Sequence, residues 1–153
     1  MRNTNITVLA VAVMAGFIGG VLRTKSVTAP DSSTTLYEYA ANTVKVTDPT
    51  GKSKTFTMDA LGNLVLVQEP DPAAPTTSTY STYYTYDVLE HLINVSMPRG
   101  SYTQTRSFDY GSPPGAYLMS ATNPETGTVK YSYNPGGTLA SKNDINNQPR
   151  RAG

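Results

Sequence analysis

Two kinds of hydrophobic pattern divide this chain. From Ile6 to Leu22 no side chain is charged, and Val8, Leu9, Val11, Val13, Met14, Phe17, Ile18, Val21 and Leu22 are separated only by Thr, Ala and Gly. A continuous apolar run predicts one N-terminal hydrophobic helix directed to a membrane, assigned here to residues 1–25. At 17 residues it falls between a signal-peptide core and a minimal spanning helix, so a cleaved signal and a retained anchor both stay open. Cleavage after Val27-Thr28-Ala29 would leave Pro30 beyond the scissile bond, which tilts the reading toward an anchor. Arg2 flanks one end and Arg23 and Lys25 the other, so the charges set no orientation.

Beyond a small, polar stretch read as a linker over 26–35, the period falls to two. Tyr37 and Tyr39, then Val44 and Val46, alternate with polar residues, as half-buried strands do. Asp48-Pro49-Thr50-Gly51 has the composition of a type I turn, and Asp59-Ala60-Leu61-Gly62 repeats the signal after Phe56 and Met58. Leu64 to Val67 form the next strand, which Pro70 ends. The β domain is therefore placed at 36–140, followed by a polar tail, 141–153.

Composition narrows the function. Twelve basic and eleven acidic side chains in 153 residues leave a net charge of +1, too weak a field for a phosphate-tracking groove, so no nucleic-acid partner is expected. The absence of cysteine excludes disulfides, thiolate zinc sites and cysteine nucleophiles. Eleven Tyr, twelve Gly and eleven Pro with 15% charged residues describe a turn-rich, all-β chain.

The strand and turn pattern recurs. Tyr84-Thr85-Tyr86-Asp87 leads to Leu92, Val95, Pro98 and Gly100, then Phe108-Asp109-Tyr110-Gly111. A third copy runs through Tyr117, Leu118, Asn123-Pro124-Glu125-Thr126-Gly127, Val129, Tyr131, Tyr133-Asn134, Gly137 and Leu139. Corresponding tyrosines lie roughly 20 to 28 residues apart, the scale of stacked supersecondary repeats. The order aromatic-x-Tyr-Asp-x-x-Gly-x-Leu, then Val-x-x-Pro-x-Gly, resembles the YD repeat of the RHS family over about residues 36 to 140, with the nearest stretch at Phe56 to Pro70. Met58 stands for the family's Tyr, Glu90 for its turn glycine and Asn134 for its Asp. The resemblance implies antiparallel β-hairpin repeats in a curved open sheet, exported and non-catalytic, of a kind associated with surface contact and carbohydrate binding. About three repeats are too few to close the spiral shell of long family members, and no family core segment or toxin is recognised, so toxin carriage is not implied.

Few residues invite chemistry. Asp59, Asp87 and Asp109 each follow an aromatic or Met strand end, where Asp caps a turn through its own backbone. His91 is the only histidine and has no ligand or triad spacing around it. Gly51-Lys52-Ser53 lacks the upstream glycine of a phosphate loop, since Val46 holds that place. Asn94-Val95-Ser96 and Asn5-Ile6-Thr7 match the glycosylation sequon. No catalytic, metal or cofactor-binding residue is expected. Tyr37, Tyr39, Gly51, Phe56, Asp59, Gly62, Tyr84, Tyr86, Asp87, Gly100, Phe108, Tyr110, Gly127, Tyr131, Tyr133 and Gly137 are read as repeat residues. Tyr80, Tyr83 and Tyr102 stand outside that set and are the candidate ligand or partner surface, next to the long loop Pro70 to Thr79.

The expected function is a non-catalytic β-repeat protein of the cell envelope or exterior. It pairs with its own copies or with other β-repeat proteins as a filament or fibre subunit, and residues 6–22 meet the membrane if uncleaved. The alternatives are a monomeric adhesin or carbohydrate-binding module, and a piece of a larger repeat protein.

Overall fold

The computed structural model describes residues 12–18, 21–75, 78–111 and 115–144, and every regular element among them is a strand. In chain order these are β1 (Ala12–Ile18), β2 (Val21–Thr28), β3 (Thr34–Ala40), β4 (Thr43–Thr47), β5 (Ser53–Met58), β6 (Leu64–Pro70), β7 (Thr79–Tyr86), β8 (Leu92–Arg99), β9 (Tyr102–Asp109), β10 (Ser120–Asn123), β11 (Gly127–Tyr133) and β12 (Leu139–Asp144). The chain divides into two compact units, Met1–Gly62 with Val67–Thr79, and Asn63–Leu66 with Tyr80–Gly153. In each, consecutive strands pair antiparallel in an open sheet.

In the first unit, register sorts the alternating side chains. Tyr39 lies opposite Val44 and Val44 opposite Phe56, while Tyr37 lies opposite Val46. Aromatic and β-branched residues therefore share one face, where such cross-strand pairs stabilise a sheet by about 0.2–1 kcal/mol each. On the other face Glu38 lies opposite Lys45, with Lys45 Nζ 3.2 Å from its carboxylate. The Arg23 guanidinium lies 5.0 Å above the centre of the Tyr39 ring.

The N-terminal stretch departs from the helix expected of it. Residues 12–18 and 21–28 form β1 and β2, an antiparallel pair with a bulge between Met14 and Ala15, and no helix among the described residues is long and apolar enough to cross a membrane. Residues 1–11, 19 and 20 of the expected helix lie outside the described residues. Val13, Ile18 and Val21 are β-branched and Gly16 weakens a helix, so the apolar run that suits a membrane helix suits a strand as well. Pairing extends from Ser26, Val27 and Thr28 to Leu36, Thr35 and Thr34, so the stretch 26–35 read as a linker is a hairpin. There Thr28 and Thr34 join through their hydroxyls at 3.0 Å. Residues 141–144 of the expected tail belong to β12, and 145–153 lie outside the described residues.

In the second unit, Tyr84, Val95 and Arg106 are successive cross-strand partners, as are Phe108, Ala121 and Val129. Among the described residues from Arg23 onward, Val95 and Ala121 are the only buried apolar side chains. Both sit on strands paired along both edges. The opposite face is a row of small polar residues, Thr85, Asn94, Ser107, Thr122 and Thr128, in unbroken register. Thr122 and Thr128 join hydroxyl to hydroxyl at 2.8 Å.

Candidate functional site

One turn geometry recurs in five of the eleven strand connections. At Ala29, Asp48, Asp87 and Asn134 the first residue donates its N–H to the carbonyl four residues on, at 2.8 to 3.0 Å, and accepts from the N–H three residues on. At Asp59 the second of these bonds comes from Gly62 at 3.2 Å. The fourth residue has a positive φ each time: Ser32 at 69°, Gly51 at 85°, Gly62 at 95°, Glu90 at 65° and Gly137 at 80°. This is a type I turn closed by a left-handed residue, which suits the right-handed twist of a hairpin.

Aspartate pre-sets it. Asp48 Oδ1 accepts from the N–H groups of Thr50 and Lys52 and from the Thr50 hydroxyl, at 2.7 to 2.9 Å. Asp59 Oδ1 accepts from Leu61 N–H, and Asp109 Oδ1 from Gly111 N–H, each at 2.9 Å. The hydroxyl of Thr50, the lysine charge and these amides hold the Asp48 carboxyl below its ordinary value despite some desolvation. For Asp87, desolvation pushes upward, and the His91 amide and ring with the Leu89 amide outweigh it, leaving the carboxyl lowered. These carboxylates are spent on their own turns, and none of them pairs with another.

His91 is tied into the same turn. Its Nδ1 lies 2.9 Å from Asp87 Oδ2 and its ring stacks on Tyr110, centroids 4.3 Å apart at 14°. It thereby bridges the β7–β8 turn to the segment after β9. Among the described residues no group of three or more His, Asp or Glu side chains is placed to hold a metal ion.

The three candidate tyrosines do not converge. Tyr83 lies opposite Ser96, and Ser96 opposite Thr105, which places Tyr83 on the polar face. Tyr102 is four residues from Arg106 and three from Thr105 in an unbroken strand, so it lies on the other face. Tyr80 shares that face with Tyr102, since it stands four residues before Tyr84. Arg99 joins them: its guanidinium lies 4.4 Å above the Tyr80 ring, and it is the cross-strand partner of Tyr102. Arg99 Nη1 also donates to the carbonyls of Ser81 and Pro98 at 3.2 and 2.8 Å, which fixes the guanidinium plane. Tyr102 is 66% exposed and Tyr83 46%.

Further along the face of Tyr102, Gln104 Nε2 and Arg106 both donate to Glu125 Oε1, the latter at 2.8 Å. Glu125 reaches them from the β10–β11 turn. Tyr102, Arg99, Gln104, Arg106 and Glu125 thus make a strip of one open ring and planar hydrogen-bonding groups. Of these, sequence alone singled out only Tyr102 as a surface candidate, because the other members meet through register and not through any spaced motif.

The repeat tyrosines have two specific partners. Tyr86 donates its hydroxyl to the Leu64 carbonyl, and Tyr133 donates its own to the Leu118 carbonyl. Tyr117 stacks on Tyr133, centroids 4.7 Å apart. No protein-family model matches the chain, and no curated protein matches its sequence.

Proposed function

We propose that the chain is an exported, non-catalytic β-repeat structural protein, related to the YD-repeat proteins of the RHS family, that joins its own copies or other β-repeat proteins at the cell surface. The family relationship rests on the recurring aromatic-Asp turns and their left-handed fourth residue. The observation that carries the assembly reading is the sparse core: among the described residues from Arg23 onward, Val95 and Ala121 alone are buried apolar residues. Stacked repeats gain their core from neighbours, and an open sheet presents backbone donors and acceptors at its edges. Strand addition at β12 supplies both kinds of contact.

The test is light-scattering mass of the full chain after size exclusion, across a wide concentration range. Growth with concentration is expected, together with its reduction when Ala140→Lys and Asn143→Lys place charge on β12. A monomer at every concentration, or growth indifferent to those lysines, rules out edge addition.

A carbohydrate-binding module is the second reading, favoured by the open Tyr102 ring beside the Arg99 and Gln104 donors. A ring face with polar groups at its rim matches the two sides of a sugar. Signal on a glycan array that Tyr102→Ala abolishes and Tyr83→Ala leaves intact supports it, and equal sensitivity to both rejects this strip.

A further inference from the structure

Of the seven exposed large hydrophobic side chains described in the second unit, all but Tyr83 and Tyr102 stand at one end of its sheet. Because β7 to β12 run as a meander, the turns β7–β8, β9–β10 and β11–β12 share one end, and the turns β8–β9 and β10–β11 share the other. At the first end Val88 is 90% exposed and Leu89 54%, and Tyr117, Met119 and Leu139 are exposed beside them. The second end carries Arg99, Gly100, Ser101 and Glu125, with Tyr102 as its exposed ring. Nothing about a β-meander requires this asymmetry, and turn tips are ordinarily polar.

The tip is also held in place. Asp87 Oδ1 accepts the N–H of Leu89 at 2.8 Å and that of His91 at 2.9 Å, while the His91 ring stacks on Tyr110. Val88 and Leu89 therefore project from a turn that is fastened on both sides. In the first unit Leu61 occupies the same step of the same turn, with its N–H on Asp59 Oδ1.

The geometry points to a lipid-contacting rim: Val88, Leu89, Tyr117, Met119 and Leu139 dip into the interfacial layer of an uncharged, zwitterionic bilayer. Two observations choose this occupant. The apolar groups are few and stand on separate turns. Their apolar area, at roughly 60–120 Å² per aliphatic side chain, is divided among three turns, whereas a stable protein interface buries one contiguous patch of ~800 Å² per partner. A fluid interface, in contrast, takes each tip separately, and tyrosine is at home at headgroup depth. The charge agrees, because the three turns hold Asp87, Glu90, His91 and Asp109 at their margins and no lysine or arginine, which disfavours an anionic surface. This inference stands independently of the assembly reading and of the apolar stretch 6–22.

The chain has no tryptophan, so a single introduced indole reports one position. Full-length Leu89→Trp and Ser101→Trp are compared with and without phosphatidylcholine vesicles. A blue shift for Leu89→Trp that needs vesicles, with Ser101→Trp unmoved, is expected. In the unlabelled chain, Val88→Asp with Leu89→Asp lowers vesicle partitioning at least about tenfold. Vesicle binding without a Leu89→Trp shift assigns contact to another segment and overturns the rim. So does an equal shift at both positions, and so does a shift that grows with protein concentration in the absence of lipid, which would mark a protein contact.

Discussion

The hydroxyl of Tyr86 donates to the backbone carbonyl of Leu64 at 3.0 Å, joining residues 22 apart in the chain. Tyr133 does the same to Leu118 at 2.8 Å across 15 residues. Both tyrosines immediately precede the residue that opens a turn, Asp87 in one case and Asn134 in the other. In this position the aromatic is a fastener as well as a packing group, and Met58, before Asp59, has no donor for the same task. Tyr86→Phe and Tyr133→Phe are each expected to lose about 0.5–1.5 kcal/mol, read as a lower urea midpoint with unchanged slope. No change in either midpoint would show the hydroxyl bonds to be replaced by water at no cost.

Glu90 holds φ at 65° in a place where Gly51, Gly62 and Gly137 serve the equivalent turns. A left-handed L-residue is strained by about 1–2 kcal/mol, part of which glycine returns through a more flexible unfolded chain. Glu90→Gly is therefore expected to raise stability by up to about 1 kcal/mol, whereas Gly62→Ala lowers it by a similar amount. Gly62 meets nothing within 4 Å at the place a Cβ would take, so its loss is purely a backbone effect. Chemical denaturation of both variants tests the opposite signs.

Gly137 combines both constraints. Its φ is 80°, and a Cβ there would collide with the Tyr117 hydroxyl. Gly137→Ala should cost more than Gly62→Ala because it must also displace Tyr117 from its stack on Tyr133. In a Tyr117→Ala background the excess should vanish, and a double-mutant cycle reads the coupling. Strict additivity would mean that Tyr117 swings aside without loss.

Acid should loosen the turns. The carboxyls of Asp48 and Asp87 are lowered in the folded chain, so near and below the ordinary aspartate value of about 4 the unfolded chain binds more protons. Their contribution is complete above that value and fades as pH falls through the lowered folded values. The urea midpoint is expected to fall between neutral pH and pH ~2, and Asp48→Asn, which keeps an acceptor oxygen, should shallow that fall. A slope unchanged by Asp48→Asn would place the acid sensitivity elsewhere.

Local signals carried much of the fold. Asp48, Asp59 and Gly62 mark their turns because an Asx residue and a left-handed residue are needed within one four-residue window. Tyr37, Tyr39, Val44 and Val46 mark their strands through a period of two. The apolar N-terminal run misleads because a short hydrophobic stretch with Gly16, Val13 and Ile18 satisfies a helix and a strand alike, and strand pairing decides between them. Facing residues are harder to read. Tyr83 and Tyr102 look equivalent in sequence, yet the two-residue turn Gly100-Ser101 fixes a register that sends them to opposite faces. The gathering of Arg99 with Tyr80, or of Glu125 with Arg106, depends on the same register and has no sequence signature.

From β7 to β12 each strand pairs only with its neighbours in the chain. A hairpin can thus be gained or lost by duplication or deletion of a short stretch of gene without rerouting any other strand. Each turn can likewise change by itself, and one carries Glu90 at the step where others carry glycine. The length of a chain built this way is a matter of history, and its width can change while every remaining contact stays as it was.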